Sequence, residues 1–166
     1  MRGSRAGAYT SDPVALREQP QPCYDRGMGL VYADIEVINW GDLSDAQRNR
    51  LPMADVRRMT VTMLVDSGAY FLALNQRIVE QLGLLVVDQT TAELADGTIL
   101  SLDVVGPVEV RFANRRASVD AVVLPGDAEP LLGAIPMGSM DVLVDLKRQQ
   151  LVVNPKYPIR KGGPVK

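Results

Sequence analysis

The sequence predicts an all-β, barrel-like domain with one or two short helices. Three observations predict it. Val31, Ala33, Ile35 and Val37 alternate with polar residues, as do Met59, Val61, Met63 and Val65, the period-two pattern of half-buried strands. Turn formers recur between short β-rich arms, Asp96-Gly97 most strongly. Helical spacing with both end signals occurs between Asn75, a good N-cap, and Gly83, a good stop, with Ile78, Val79 and Leu82 sharing a face.

In chain order, residues 1–27 stand apart. Met1-Arg2-Gly3-Ser4 reads as a vector leader, and Pro13, Pro20 and Pro22 punctuate a polar stretch without apolar periodicity. A removable pro-segment is the alternative reading, and Met28 is a natural start. A domain is expected over 28–155. Its strand from Gly29 leads into a polar loop from Gly41 to about Pro52, then into the strand that ends at Asp66-Ser67-Gly68. After the helix come hairpins. Asp96-Gly97 turns one, and Asn114-Arg115 turns another, between Val108–Phe112 and Ala117–Leu124. Leu131-Leu132-Gly133 follows, then a short helical segment around Pro136 to Met140. A last pair of strands, Val142–Leu146 and Gln150–Val153, turns at Asp145 to Arg148. From Asn154 the chain carries Pro155, Pro158 and Pro164 and several positive charges, so 156–166 is expected to be a flexible basic tail.

Composition narrows the chemistry. The 166 residues, 46% of them apolar, suit a single globular domain. A net charge of −2 offers no field for nucleic acid or an anionic membrane surface. No apolar run reaches the roughly 18 residues of a membrane-spanning helix. The one cysteine, Cys23, has no cysteine partner and favours a reducing, cytoplasmic location. The absence of histidine excludes Ser-His-Asp and Cys-His catalysis and every histidine-based zinc site. Acid–base chemistry must therefore come from carboxylates, lysine, tyrosine or Cys23.

Met63-Leu64-Val65-Asp66-Ser67-Gly68-Ala69 is the motif that fits this demand. A buried strand delivers a carboxylate at its end, Gly68 permits a tight turn, and Ser67 offers a hydroxyl to backbone. The triad alone is weak, expected by chance in about one chain in ten of this length, and Asp, Ser and Gly all form plain turns. Its order with the Ala95-Asp96-Gly97-Thr98 hairpin tip, Leu131-Leu132-Gly133 and Val144-Asp145-Leu146 is far more specific.

That ordered set resembles the retropepsin-like aspartic proteases of clan AA, in particular small bacterial single-domain members, over roughly Met28 to Pro155. The resemblance implies a closed, barrel-like acid-protease fold, active as a homodimer. Asp66 would be half of the catalytic dyad, with Ser67, Gly68 and Ala69 supporting the loop and Ala95, Asp96, Gly97 and Thr98 forming a flap tip. Leu131, Leu132 and Gly133 would be the second family motif. No metal or cofactor is implied. The implied partners are a second copy and an extended peptide or protein substrate, with no nucleic acid or membrane. Two positions depart from the pattern: Tyr70 and Ala134 stand where retropepsins carry an aspartate and an arginine that pair near the dimer interface. The competing reading is a non-catalytic module of the same fold that dimerises or binds peptide. A third is an unrelated β-barrel with a chance triad. Trp40 and Tyr32 read as packing before pocket lining, Arg115 and Arg116 as a solvated turn, and Asp96 as a turn former. Asp141 and Asp145 show no spacing that would bring them together.

Overall fold

The computed structural model describes residues 29–158. The expectations for 1–27, for Met28 and for the tail beyond Pro158 lie outside the described residues.

The first two strands zip together by pattern matching. β1 (Val31–Asn39) pairs antiparallel with β2 (Arg58–Val65), setting Val31 against Val65, Ala33 against Met63 and Ile35 against Val61. Every inward residue of one thus meets an inward residue of the other, and all six are buried. The alternation breaks at the end of β1, where Val37, Ile38 and Asn39 are all buried. The cause is α1 (Trp40–Gln47), a helix in the stretch from Gly41 that the sequence reading took for a polar loop. Leu43 and Ala46 of α1, with Val56, cover Ile38 on the outer face and make a second small core. Local polarity hid this helix; its start signal is Asn39, whose Oδ1 accepts from Asp42 N at 3.0 Å.

The same asparagine serves a second helix. Asn39 Nδ2 donates to Leu82 O at 2.8 Å, at the C-terminus of α2 (Gln76–Leu82). As expected, Asn75 caps the start of α2 through Ile78 N at 3.0 Å, and Gly83 ends it in the left-handed conformation, φ +59°. Arg57 lies against Gly83 and grips Asp42 with two charge-assisted bonds, 2.8 and 2.9 Å. That guanidinium holds the Asp42 carboxyl below its ordinary range.

The remaining strands are β3 (Leu72–Asn75), β4 (Val86–Glu93), β5 (Ile99–Phe112), β6 (Arg115–Leu124), β7 (Leu131–Leu132), β8 (Val142–Asp145) and β9 (Gln150–Val153), with α3 (Ala134–Met140) before β8. The main sheet has the order β1-β2-β7-β3-β6-β5-β4, and β5 also reaches back to pair with β1 over Glu36–Asn39. β8 and β9 form a separate two-stranded hairpin. The protein is mostly β, as the pattern predicts, with three short helices where one or two were expected.

One turn differs from the sequence reading. The β5–β6 connection is Ala113-Asn114, one residue earlier than Asn114-Arg115, because Phe112 pairs with Arg115. Arg115 is consequently no solvated turn residue but a side chain 3% exposed, donating to Tyr157 O and paired at 3.8 Å with Asp141. Asn114 donates to Pro158 O and Asn154 to Asp141, so the chain from Asn154 to Pro158 is bonded along this end of the domain. Asp145 instead caps its own turn through Arg148 N.

Candidate active site

β2 carries its apolar side chains into the core and ends at Asp66, which emerges half-buried while Ser67 and Gly68 are exposed. Strand β7 is wedged beside it, parallel to β2 with Leu64 against Leu131 and Val65 against Leu132, and antiparallel to β3. The wedge continues past the strand ends. Leu64 N donates to Pro130 O at 3.0 Å and Asp66 N to Leu132 O at 3.0 Å. Ala134 N then donates to Ala69 O at 2.7 Å, and Ile135 N to Tyr70 O at 2.9 Å. The loop from Asp66 to Phe71 is therefore folded around the backbone of Gly133. A Cβ at 133 would lie 2.3 Å from Phe71 O and 2.8 Å from Ala69 O, so only glycine fits there.

Within the loop, Asp66 Oδ1 accepts from Gly68 N at 2.9 Å, and Ala69 N closes the turn on Asp66 O at 3.2 Å. The carboxylate is thus fixed by its own turn with its second oxygen left for other partners. The Ser67 hydroxyl has no hydrogen-bond partner among the described residues. Tyr70 and Ala134 stand on these two segments, which backbone hydrogen bonds join. Tyr70, Phe71 and Ile135 are 72%, 51% and 47% exposed, an apolar rim around the loop.

The structure unites Asp66, Ser67, Gly68 and Ala69 with Leu131, Leu132 and Gly133. Ala95, Asp96, Gly97 and Thr98 sit apart at the tip of the β4–β5 hairpin. Their bonds are internal: Leu94 N to Thr98 O, Gly97 N to Leu94 O, and Thr98 N to Asp96 Oδ1. The Thr98 amide holds the Asp96 carboxyl below its ordinary range, which agrees with a turn-forming role. No hydrogen bond among the described residues joins this tip to the Asp66 loop.

The aspartyl protease family model matches residues 53–135, half of the chain. The chain belongs to the aspartyl protease family. The matched span holds the Asp66 loop, the β4–β5 hairpin and Gly133, three of the segments on which the resemblance to retropepsin-like members rests; Val144-Asp145-Leu146 lies beyond it. No curated protein matches the chain. Among solved structures it is similar to the retroviral protease-like domain of Ddi1 from Leishmania major, at 18% identity and a TM-score of 0.49, over 78% of this chain and 91% of that one.

Sequence reasoning missed Glu109, whose carboxylate is 1% exposed and bonded to Arg111 Nε at 2.6 Å, with Arg116 at 3.5 Å. Its only signal was a charge inside an apolar strand, Val108-Glu109-Val110. Among the described residues no group of three or more Asp, Glu, Cys or His could hold a metal ion, and no helix is long and apolar enough to cross a membrane.

Proposed function

We propose that the protein is an aspartic endopeptidase whose active site is completed by a second copy, each chain contributing one Asp66. The observation that carries this reading is the fixed, half-buried carboxylate of Asp66 at a strand end, locked by Gly133 and present once per chain. Two carboxylates about 3 Å apart do not both ionise easily and share one proton. The ionised partner takes a proton from a bound water while the protonated one polarises the scissile carbonyl. Water adds, and the tetrahedral intermediate collapses as the proton returns to the leaving nitrogen. These steps call for no metal or cofactor.

Several features support the pairing. The Ser67 hydroxyl is free to bond backbone of the opposite loop, and the rim of Tyr70, Phe71 and Ile135 offers apolar area to cover. β1 is paired by β2 along its length and by β5 over Glu36–Asn39, so Val31–Ile35 keep an open edge. The β8–β9 hairpin, with Leu143 and Leu146 exposed, is the better interface element. In this reading the main sheet, with β5 returning to β1, is a closed barrel that supports the site, and substrate lies extended beneath the β4–β5 flaps, pairing with them as an added strand. In this reading the activity belongs to a reducing, cytoplasmic setting, which the single cysteine favours.

Asp66→Asn tests both halves of the proposal. Peptidase activity on a peptide library should fall by orders of magnitude with the fold intact. Added in excess to the wild-type chain, the variant should also suppress wild-type activity by forming mixed pairs. Retained activity in the purified variant would overturn the protease reading. Loss without suppression would overturn the shared site.

A further inference from the structure

Strand β6 is paired unevenly. β5 accompanies it from Arg115 to Val119, but β3 joins only from Ala121, so the first six residues lack a strand on one side. The two-residue connection makes Phe112 and Arg115 a pair that exchanges both backbone hydrogen bonds. Alternation then makes Arg111–Arg116 and Glu109–Ser118 the non-bonded pairs. The N–H and C=O groups of Arg116 and Ser118 therefore point away from β5. No turn, loop or cap bond among the described residues takes them up. They face a groove of about 430 Å³, walled by Trp40 and Gln47 of α1 and by Ser139 of α3.

We propose that this groove binds an extended, acidic peptide segment of a protein partner or substrate, which adds to β6 as a strand. Two outward-facing residues walled by two helices admit one extended chain, whereas the edge of a folded second copy would meet the helices. Charge selects an acidic sequence. Arg116 is the one ionised side chain of the lining, with a side chain 64% exposed. Its neighbour Glu109 is already held by Arg111 at 2.6 Å, and two arginines against one glutamate leave the cluster at +1. A glutamate or aspartate of the added strand, on the face beside Arg116, completes that cluster, while Trp40 supplies an apolar wall. None of the lining residues belongs to the Asp66 loop, so this is a separate grip on the polypeptide and does not depend on the protease reading.

Trp40 is the only tryptophan of the chain and stands in the groove, so its emission reports occupancy. The full chain is titrated with a short capped peptide of alternating threonine and glutamate, and with its threonine–lysine counterpart. The acidic peptide should give a saturable change and the basic one should bind at least about fivefold more weakly. Arg116→Glu should invert that order. Ser118→Pro, which removes an outward N–H without touching the β5 ladder, should weaken binding of the acidic peptide with the thermal melt unchanged. Asp66→Asn should bind as the wild type does. Equal responses to both peptides, no saturable change, or indifference to Arg116→Glu would each overturn the proposal. Loss of binding in Asp66→Asn would move the peptide to the Asp66 loop, and a Trp40 signal that follows protein concentration alone would give the groove to a second copy. Should Ser118→Pro not fold, Arg116→Glu, at an exposed side chain, decides alone.

Discussion

The Asp66 loop and the β4–β5 hairpin lie in the same family segment but are held in opposite ways. The loop is stitched to a distant part of the chain by four backbone hydrogen bonds between 64–70 and 130–135, and a glycine backbone fills its centre. The hairpin pairs only with itself beyond Val104: among the described residues β4 pairs with no strand but β5, and residues 93–99 are all exposed. A carboxylate that must meet a substrate bond in one geometry needs the first kind of support. A segment that must lift and close over a polypeptide needs the second, because few buried contacts oppose its motion.

Gly133→Ala should break the loop side of this comparison. The added methyl meets only backbone, at distances no side-chain rotation relieves, and should cost about 3 kcal/mol, read from denaturant unfolding. Gly97→Ala should act on the other side. Its surroundings are open, so only the left-handed backbone, φ +84°, opposes the change. The penalty of about 1–2 kcal/mol should appear as faster amide exchange at the hairpin tip, with global stability nearly untouched. Equal global losses for the two glycines would erase the distinction.

Asp42→Asn, remote from both, sets the scale of an ordinary surface pair. With Arg57 half-exposed, the loss should be about 0.5–1 kcal/mol. Because the folded Asp42 value lies below the unfolded one, the wild-type advantage is complete above the ordinary carboxylate value and fades as pH falls through the folded value. Melting of both proteins from pH 6 to pH 2 should converge at the acid end. The smallest effect belongs to Asp96, whose carboxyl is likewise held low, by the Thr98 amide. As pH falls through that depressed value, the protection of the Thr98 amide, relative to its intrinsic exchange, should drop, while that of Asp66 and Ala134 does not change through this bond.

Much of this was written into the sequence where one face is core. Val31 to Val37 and Met59 to Val65 alternate because one side of each is buried, and Asn75 and Gly83 end their helix by chemistry that acts within a turn. The Asp66 triad and Leu131-Leu132-Gly133 were visible as motifs, but their meeting was legible only through resemblance, since nothing local says that 133 packs on 69–71. Helix α1 was hidden because its covering role faces a second, smaller core of Ile38, Leu43, Ala46 and Val56, too small to set a periodicity. Arg115 read as solvent-facing because charge normally is, and Glu109 drew no reading of its own. Their burial depends on Tyr157, Asp141, Arg111 and Arg116, partners that local patterning does not assign.

Asn39 binds two helices at once. Its Oδ1 starts α1 and its Nδ2 closes α2, so two helices that begin 36 residues apart, at Trp40 and Gln76, end on one side-chain amide. Asp42 then passes the link to Arg57, which lies over Gly83. This corner of the molecule is therefore a single cooperative unit rather than two independent helices, and neither can fray at these ends without releasing the other. Conversion of Asn39 to aspartate, the product of spontaneous deamidation, would keep the acceptor and turn the donor into a second acceptor facing Leu82 O. The protein has placed one of its chemically perishable side chains at a joint where it is only 8% exposed.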